Sequence, residues 1–344
     1  MLDDLKNIHE KDVNDTLGIA ERQCAQLAHD FGLPVADFQH VHNVVYAGMG
    51  GSALAALVLG TWPGLSKPFE LVRNYEIPTY VDGNTLFIAS SYSGNTEETL
   101  SALEQAAAKG ARIAVITGGG RLQEIANKEG YMCAQVPKAE QPRYAVLYNF
   151  KALLDVLARA GLIDAAHVRP VLEQAASFVH EQLQGWRPEV PTARNAAKQL
   201  ALELVGKSVV IYAGPKLYPA AYKWKIDVNE NAKQISWCNQ LPEFNHNEFL
   251  GWTDQPIEKP YAVVDLRSHL EHPRVQKRFA VTARLLSGMR PEPHVVQVQG
   301  DNIFAQLLYS MVFGDFVTLY LGLLNGVNPA PVVLVERFKK ALDE

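Results

Sequence analysis

Short apolar runs that stop at a glycine and lead into a helical pattern recur along this chain, and no other feature constrains its fold as much. Asn43-Val44-Val45-Tyr46-Ala47 stops at Gly48, and Ser208-Val209-Val210-Ile211-Tyr212-Ala213 stops at Gly214 in the same way. Leu71-Val72, Thr85-Leu86-Phe87-Ile88-Ala89 and Arg112-Ile113-Ala114-Val115-Ile116-Thr117 continue the first series, with helical patterns at 52–60, 96–108 and 121–129. Tyr261-Ala262-Val263-Val264-Asp265 and His294-Val295-Val296-Gln297-Val298 continue the second. Runs that are apolar on both faces and joined through helices predict parallel strands covered on each side. The expected class is α/β, with two similar subdomains that are each a parallel sheet between layers of helix.

Punctuation sets the boundaries. An amphipathic pattern over 15–31 predicts a helix within an N-terminal segment, 1–42. The first subdomain is expected over 43–184, with a helix-rich extension from 144 to about 183. Gly185-Trp186-Arg187-Pro188-Glu189-Val190-Pro191 has the composition of a linker and opens a linker and lead-in helix over 185–206. The second subdomain follows over 207–328, and Pro329 and Pro331 break the chain before a C-terminal helix within 329–344. The stretch from Ile303 to Leu324 is long enough to span a membrane, but Gln306, Tyr309, Ser310, Asp315, Thr318 and Tyr320 interrupt it. A buried core helix or a subunit interface is expected there instead.

Composition narrows the partners. With 344 residues, 48% of them hydrophobic, each subdomain can bury its own core. The 32 basic and 37 acidic residues leave a formal charge of −5, which gives no reason to expect nucleic acid or an anionic membrane as the main partner. An anionic ligand must be held by a local site. Cys24, Cys133 and Cys238 are far apart and outside metal-ligand spacing, as reduced packing thiols of a cytoplasmic protein would be. Met1-Leu2-Asp3-Asp4-Leu5-Lys6 lacks the basic and apolar regions of an export leader.

Two turns offer such a site. Gly48-Met49-Gly50-Gly51-Ser52-Ala53 lies between a strand and a helix, where glycines allow a tight turn and free amides face the helix start. It also satisfies the dinucleotide fingerprint, but Glu70 precedes the second strand and Arg73-Asn74 follow it, where that fingerprint wants an acidic residue. The second turn, Ser90-Ser91-Tyr92-Ser93-Gly94-Asn95-Thr96, brings several hydroxyls to one strand-to-helix junction. Capping the helix needs only one of them. A phosphate, with several acceptor oxygens, suits the whole set at the positive end of a helix.

Together, Gly-Met-Gly-Gly-Ser-Ala at 48–53 and Ser-Tyr-Ser-Gly-Asn-Thr-Glu-Glu-Thr at 91–99 resemble the sugar isomerase (SIS) domain. Gln141-Pro142-Arg143-Tyr144, Asn229-Glu230-Asn231-Ala232-Lys233 and Leu241-Pro242-Glu243-Phe244-Asn245-His246-Asn247-Glu248 narrow the resemblance to the bifunctional phosphoglucose/phosphomannose isomerases, over about 46–340. That resemblance implies two SIS subdomains of αβα sandwich form. It implies a homodimer with active sites at the subunit boundary. It also implies an intramolecular oxidoreductase that interconverts glucose 6-phosphate, and mannose 6-phosphate, with fructose 6-phosphate, using no metal or cofactor. By motif, Gly51, Ser52, Ser91, Ser93 and Thr96 match the phosphate loop, Arg143 the arginine, Glu230 the base, His246 the ring-opening histidine and Lys339 the C-terminal lysine.

These residue types fit the chemistry. Moving a proton between C2 and C1 needs a carboxylate, the enediolate needs a fixed positive charge, and opening a pyranose needs a group that exchanges protons near neutrality. Each residue has a plainer alternative: Glu230 as a surface carboxylate, Arg143 as one half of a salt bridge, His246 as a loop histidine. Glu243 and Glu248 compete for the base role, and Lys340 for that of Lys339. On a helical wheel Lys339 shares a side with Val335 and Leu342, the face expected to be buried. Two departures from the family pattern bear on sugar choice: Asn328-Pro329-Ala330-Pro331 replaces Asp-Pro-Thr-Pro, and Tyr144 follows the arginine where a small residue often stands. Two other functions fit the same loop, a non-catalytic sugar-phosphate sensor and an isomerase of an amino-sugar phosphate.

Overall fold

The computed structural model describes residues 1–35, 38, 40–254 and 260–342. It divides into two compact units, Arg22–Phe178, and Met1–Glu21 together with Val179–Glu344. The chain opens with α1 (Leu5–Lys11) and α2 (Thr16–Arg22). Asp12 starts α2, its carboxylate accepting from the Thr16 amide at 2.8 Å and the Leu17 amide at 2.9 Å. The single helix expected over 15–31 does not form, because the chain tightens into a 3-10 helix over Gln23–Ala28. Gln26 is buried there, its amide donating to the Tyr144 carbonyl at 2.7 Å while its Oε1 accepts from the Tyr148 amide at 3.1 Å.

The unit Arg22–Phe178 holds a parallel sheet. Its strands are β1 (Asn43–Ala47), β2 (Phe69–Val72), β3 (Thr85–Ser91), β4 (Arg112–Thr117) and β5 (Met132–Gln135), in the order β2-β1-β3-β4-β5. The helices are α3 (Gly50–Thr61), α4 (Glu97–Ala108), α5 (Gly120–Glu129), α6 (Val146–Arg159) and α7 (Ala165–Leu183), the last running past the unit's end. Alternation along the central strands assigns the faces. Val45 and Ala47, Phe87 and Ala89, and Ile113 and Val115 pack with Ala102, Leu103 and Ala106 of α4 and Leu122 of α5.

The other unit repeats the plan. After α8 (Ala196–Leu204) come β6 (Ser208–Ala213), α9 (Tyr218–Asn231), β7 (Ser236–Gln240), α10 (Glu248–Gly251), β8 (Tyr261–Arg267), α11 (Pro273–Leu285), β9 (His294–Gln297), α12 (Ile303–Leu324) and α13 (Val333–Leu342). The parallel order β7-β6-β8-β9 reproduces β2-β1-β3-β4 strand for strand. The stretch of linker composition is packed: Trp186 is buried, and the buried Lys198 ammonium binds the carbonyls of Leu2, Pro188 and Val190 at 2.6–2.9 Å. The apolar helix α12 is the core of this unit, buried from Phe304 through Leu308 and from Ser310 through Leu323. The residues that interrupt its apolar run find partners inside the fold, Gln306 with Ser268, Asp315 with Lys223, and Thr318 with Asn231 at 3.0 Å.

Candidate active site

The serine turn begins where β3 ends. Ser91 Oγ lies 2.7 Å from Thr96 Oγ1 and 3.4 Å from Ser93 Oγ, so three hydroxyls gather at one helix start. Thr96 is the N-cap residue of α4 but makes no cap bond, because its hydroxyl turns to Ser91. The first amides of α4 thus have no side-chain cap, an arrangement suited to an anion. Ser52 joins from the first turn, its Oγ accepting from the Tyr92 amide at 3.2 Å. Gly51 brings the start of α3 against the chain at 142–143, where an added Cβ would stand 3.3 Å from the Arg143 nitrogen.

Partners distant in sequence brace this turn. Gly118 donates to the Tyr92 carbonyl at 3.0 Å, Leu122 to the Gly94 carbonyl at 2.9 Å, and Arg121 to Asn95 Oδ1 at 3.0 Å. The triplet Gly118-Gly119-Gly120 after β4, which sequence reasoning passed over, was the available signal. Gly94 has φ +72°, and a Cβ there would sit 1.7 Å from the Gly119 carbonyl oxygen. Gly94→Ala should weaken binding of inorganic phosphate by at least about tenfold, since the left-handed conformation alone costs about 1–2 kcal/mol. Calorimetric titration would measure it, and unchanged affinity in the folded variant would contradict the braced turn.

Arg143 lies on a 3-10 helix over Pro142–Tyr144 and is 2% exposed. Its guanidinium stacks over the Tyr144 ring, 4.6 Å from the centroid, and Nη2 donates to the Tyr144 hydroxyl at 3.3 Å. The tyrosine that stands where a small residue often follows the arginine is therefore a platform for it. Tyr92 links this segment to the serine turn, its hydroxyl bonding both the carbonyl and the amide of Ala139. Gly51, Ser52, Ser91, Ser93, Thr96 and Arg143 thus share the unit Arg22–Phe178.

Glu230, His246 and Lys339 belong to the other unit. Glu230 is half-buried in the last turn of α9. That turn is clamped, with the Lys233 ammonium on the carbonyls of Glu230 at 2.5 Å and Pro329 at 2.9 Å. His246 is exposed at the end of a 3-10 helix over Glu243–His246. Phe244 is fully buried, and Asn245 Nδ2 donates to Thr282 Oγ1 at 2.9 Å. Glu248 is committed to holding the same segment, because its carboxylate accepts from the Tyr212 hydroxyl and from Asn239 Nδ2 at 2.6 Å. Burial and this carboxylate push the Tyr212 hydroxyl well above the usual tyrosine range. Asn328, in the departing Asn-Pro-Ala-Pro stretch, donates to Asn14 Oδ1 at 3.0 Å.

The buried face expected for Lys339 is not found. Val335 and Leu342 are exposed, as are Leu334 at 80% and Phe338 at 63%. Lys339 pairs with Glu336 at 3.3 Å in an exposed (i, i+3) bridge. Helical spacing puts these side chains on one side, but no described residue buries it. The side chain of Lys340 lies outside the described residues.

Over residues 193–342 the chain matches the family model of the bacterial phospho-glucose isomerase C-terminal SIS domain, and over 37–156 that of the SIS domain. A glucose-6-phosphate isomerase like protein from Thermus thermophilus shares the fold, with a TM-score of 0.65, 20% identity and 98% of each chain covered. The D-glucosamine-6-phosphate 4-epimerase of Sulfolobus acidocaldarius is 34% identical over 214 residues, 62% of this chain and 65% of that one. The bifunctional phosphoglucose/phosphomannose isomerase of Caldicellulosiruptor bescii is 37% identical over 312 residues, 89% of this chain and 91% of that one. With both halves matched and nearly the full length aligned at that identity, the chain belongs to the bifunctional phosphoglucose/phosphomannose isomerase family.

Proposed function

We propose that this protein is an aldose–ketose isomerase that interconverts glucose 6-phosphate and mannose 6-phosphate with fructose 6-phosphate through an enediol. The observation that carries the reading is the set of three hydroxyls around Ser91 at a helix start that Thr96 leaves uncapped. In this reading Ser52, Ser91, Ser93 and Thr96, with the amide of Gly51, bind the C6 phosphate. His246 moves the proton that opens the ring, aided by Lys339 at the ring oxygen. Glu230 takes the proton from C2 of the open aldose, the C–H electrons form the C1–C2 double bond, and the C1 oxygen gains the negative charge. Arg143 stabilises that charge, and its guanidinium stays protonated throughout. The C2 hydroxyl proton passes to the C1 oxygen, and return of the carbon-bound proton from Glu230 to C1, as the C2 oxygen becomes the carbonyl, completes the ketose. Glucose and mannose 6-phosphates differ only at C2, which the enediol makes planar, so one intermediate serves both.

A homodimer with active sites at the subunit boundary, working in the cytoplasm, accompanies this reading. The exposure of His246 and of Leu334 and Phe338 on α13 supports the dimer, since all three offer groups that the described residues leave uncovered.

A second reading, an enzyme of amino-sugar phosphates, has support in the 34% identity to the glucosamine-6-phosphate epimerase. A coupled assay across fructose, glucose, mannose and glucosamine 6-phosphates separates the two. Turnover of the first three is expected, whereas activity confined to glucosamine 6-phosphate would favour the second reading. Binding without turnover of any of them would indicate a sensor. Ser91→Ala and Ser93→Ala should each raise KM about tenfold to a hundredfold, the worth of a hydrogen bond to a charged group.

A further inference from the structure

We propose that Glu271 is a built-in anion standing at the phosphate position of the second subdomain, and that it limits each chain to one sugar-phosphate site. The inference rests on reading the 91–96 turn as the phosphate site.

The shared strand order fixes which turns correspond. Because β7-β6-β8-β9 repeats β2-β1-β3-β4, the turn from β6 into α9 corresponds to the turn from β1 into α3. The turn from β8 into α11 likewise corresponds to the serine turn between β3 and α4. In the first subdomain a hydroxyl bridges the two turns, Ser52 Oγ accepting from the Tyr92 amide. In the second a carboxylate bridges them, Glu271 Oε1 accepting from the Lys216 amide at 2.7 Å.

The placement of that carboxylate differs from ordinary capping. Helices α8 and α12 begin with local asparagine caps, Asn195 and Asn302, each binding amides two or three residues on. The N-cap residue of α9 is Leu217, which has no polar side chain. Its turn is served from 55 residues away by a glutamate that is 5% exposed. Burial raises the Glu271 carboxyl above the usual range, and the amides of Lys216, His272 and Leu217, with the Lys216 charge, act against that rise. A buried carboxylate that takes a backbone amide at a helix start occupies the place where a phosphate oxygen is held in such turns. The fit is close, since a Cβ on Gly214 would lie 2.3 Å from Glu271 Oε1.

The turn that delivers Glu271 is itself fixed. Gln276 Nε2 donates to the carbonyls of His269 at 3.0 Å and Glu271 at 2.8 Å, and Lys216 Nζ donates to the Leu270 carbonyl at 2.6 Å. The serine turn carries no carboxylate: its hydroxyls bond one another and the turn's own amides, Ser91 Oγ accepting from Gly94 at 3.1 Å and Ser93 Oγ from Asn95 at 3.3 Å. One copy of the repeated subdomain is filled by its own side chain, and the other is left to take a ligand.

Counting phosphate sites on the full chain by calorimetric titration with inorganic phosphate tests this. Wild type should bind one phosphate per chain, and Ser91→Ala/Ser93→Ala should abolish that binding. Adding Glu271→Ser to this double variant should restore one phosphate per chain, now in the second subdomain. Glu271→Gln, which removes the charge but keeps the volume, should not. Two phosphates per wild-type chain, or a folded Glu271→Ser triple variant that binds none, would overturn the proposal. Undiminished binding by Ser91→Ala/Ser93→Ala would instead sink the reading of the serine turn.

Discussion

Glu230→Gln should lower kcat by about 10²–10⁴, the usual worth of a general base, while leaving KM nearly unchanged. The substitution keeps the volume of the side chain and removes only its capacity to take a proton. The backbone around it is held independently. Asn231 binds Thr318 at 3.0 Å, the Lys233 ammonium ties α9 to the Pro329 carbonyl at 2.9 Å, and Gly322 lets the two helices close, a Cβ there standing 2.6 Å from the Asn231 carbonyl oxygen. In the proposed reading ground-state binding rests on the serine turn at 91–96, which the substitution does not touch. The measurement is kcat and KM with fructose 6-phosphate, together with solvent deuterium incorporation at C1 and C2, which should stop along with turnover. A folded variant that turns over and exchanges at wild-type rates would remove Glu230 as the base. Glu248→Gln offers a contrast. Glu248 is committed to Tyr212 and Asn239, so its loss should appear mainly as lower stability rather than as a kcat effect.

How far the sequence reveals this arrangement depends on how local each signal is. The central strands β1, β3, β4, β6 and β8 are readable as apolar runs because both of their faces are covered. The strands β5 and β7 leave no such run, since Met-Cys-Ala-Gln and Ser-Trp-Cys-Asn-Gln sit at sheet edges, where pairing comes from the neighbour and one face stays partly open. The serine turn is readable because its hydroxyls and its glycine are consecutive. Its brace at 118–122 is not, because that contact exists only once β3 and β4 lie side by side. Taken alone Glu230 is an ordinary helix carboxylate and His246 has a plain alternative as a loop histidine; the family motif around them is what singles them out. For Lys339 the helical wheel grouped the correct side chains, but whether anything covers them is a tertiary property that periodicity cannot contain.

Lys223→Met should destabilise the unit containing α9 and α12 by about 3–5 kcal/mol, the cost of removing one partner from a buried ion pair. Lys223, Asp227 and Asp315 are all essentially buried, and the ammonium binds Asp227 Oδ2 at 2.7 Å and also Asp315. The substitution would take the Lys223 cation away from two buried carboxylates, whereas Asp315→Asn leaves Lys223 matched with Asp227 and should cost less. Replacing all three with apolar residues of similar size should restore most of the loss, because a buried ionic cluster offsets its desolvation without much surplus. Alkali provides a second check. Burial pulls the Lys223 ammonium down, but Asp227 and Asp315 more than reverse it, so its pKa stands above the ordinary 10.5. A raised folded value means that the stabilisation is complete below 10.5 and lost as pH climbs through the folded value. Urea midpoints for wild type should therefore fall over that alkaline range more steeply than for Lys223→Met, which has no such proton to lose. Equal alkaline slopes would show that the triad does not carry this stability. Because α9 also carries Glu230, the Lys223→Met protein that remains folded should keep its KM while its kcat falls in step with any loosening of that helix.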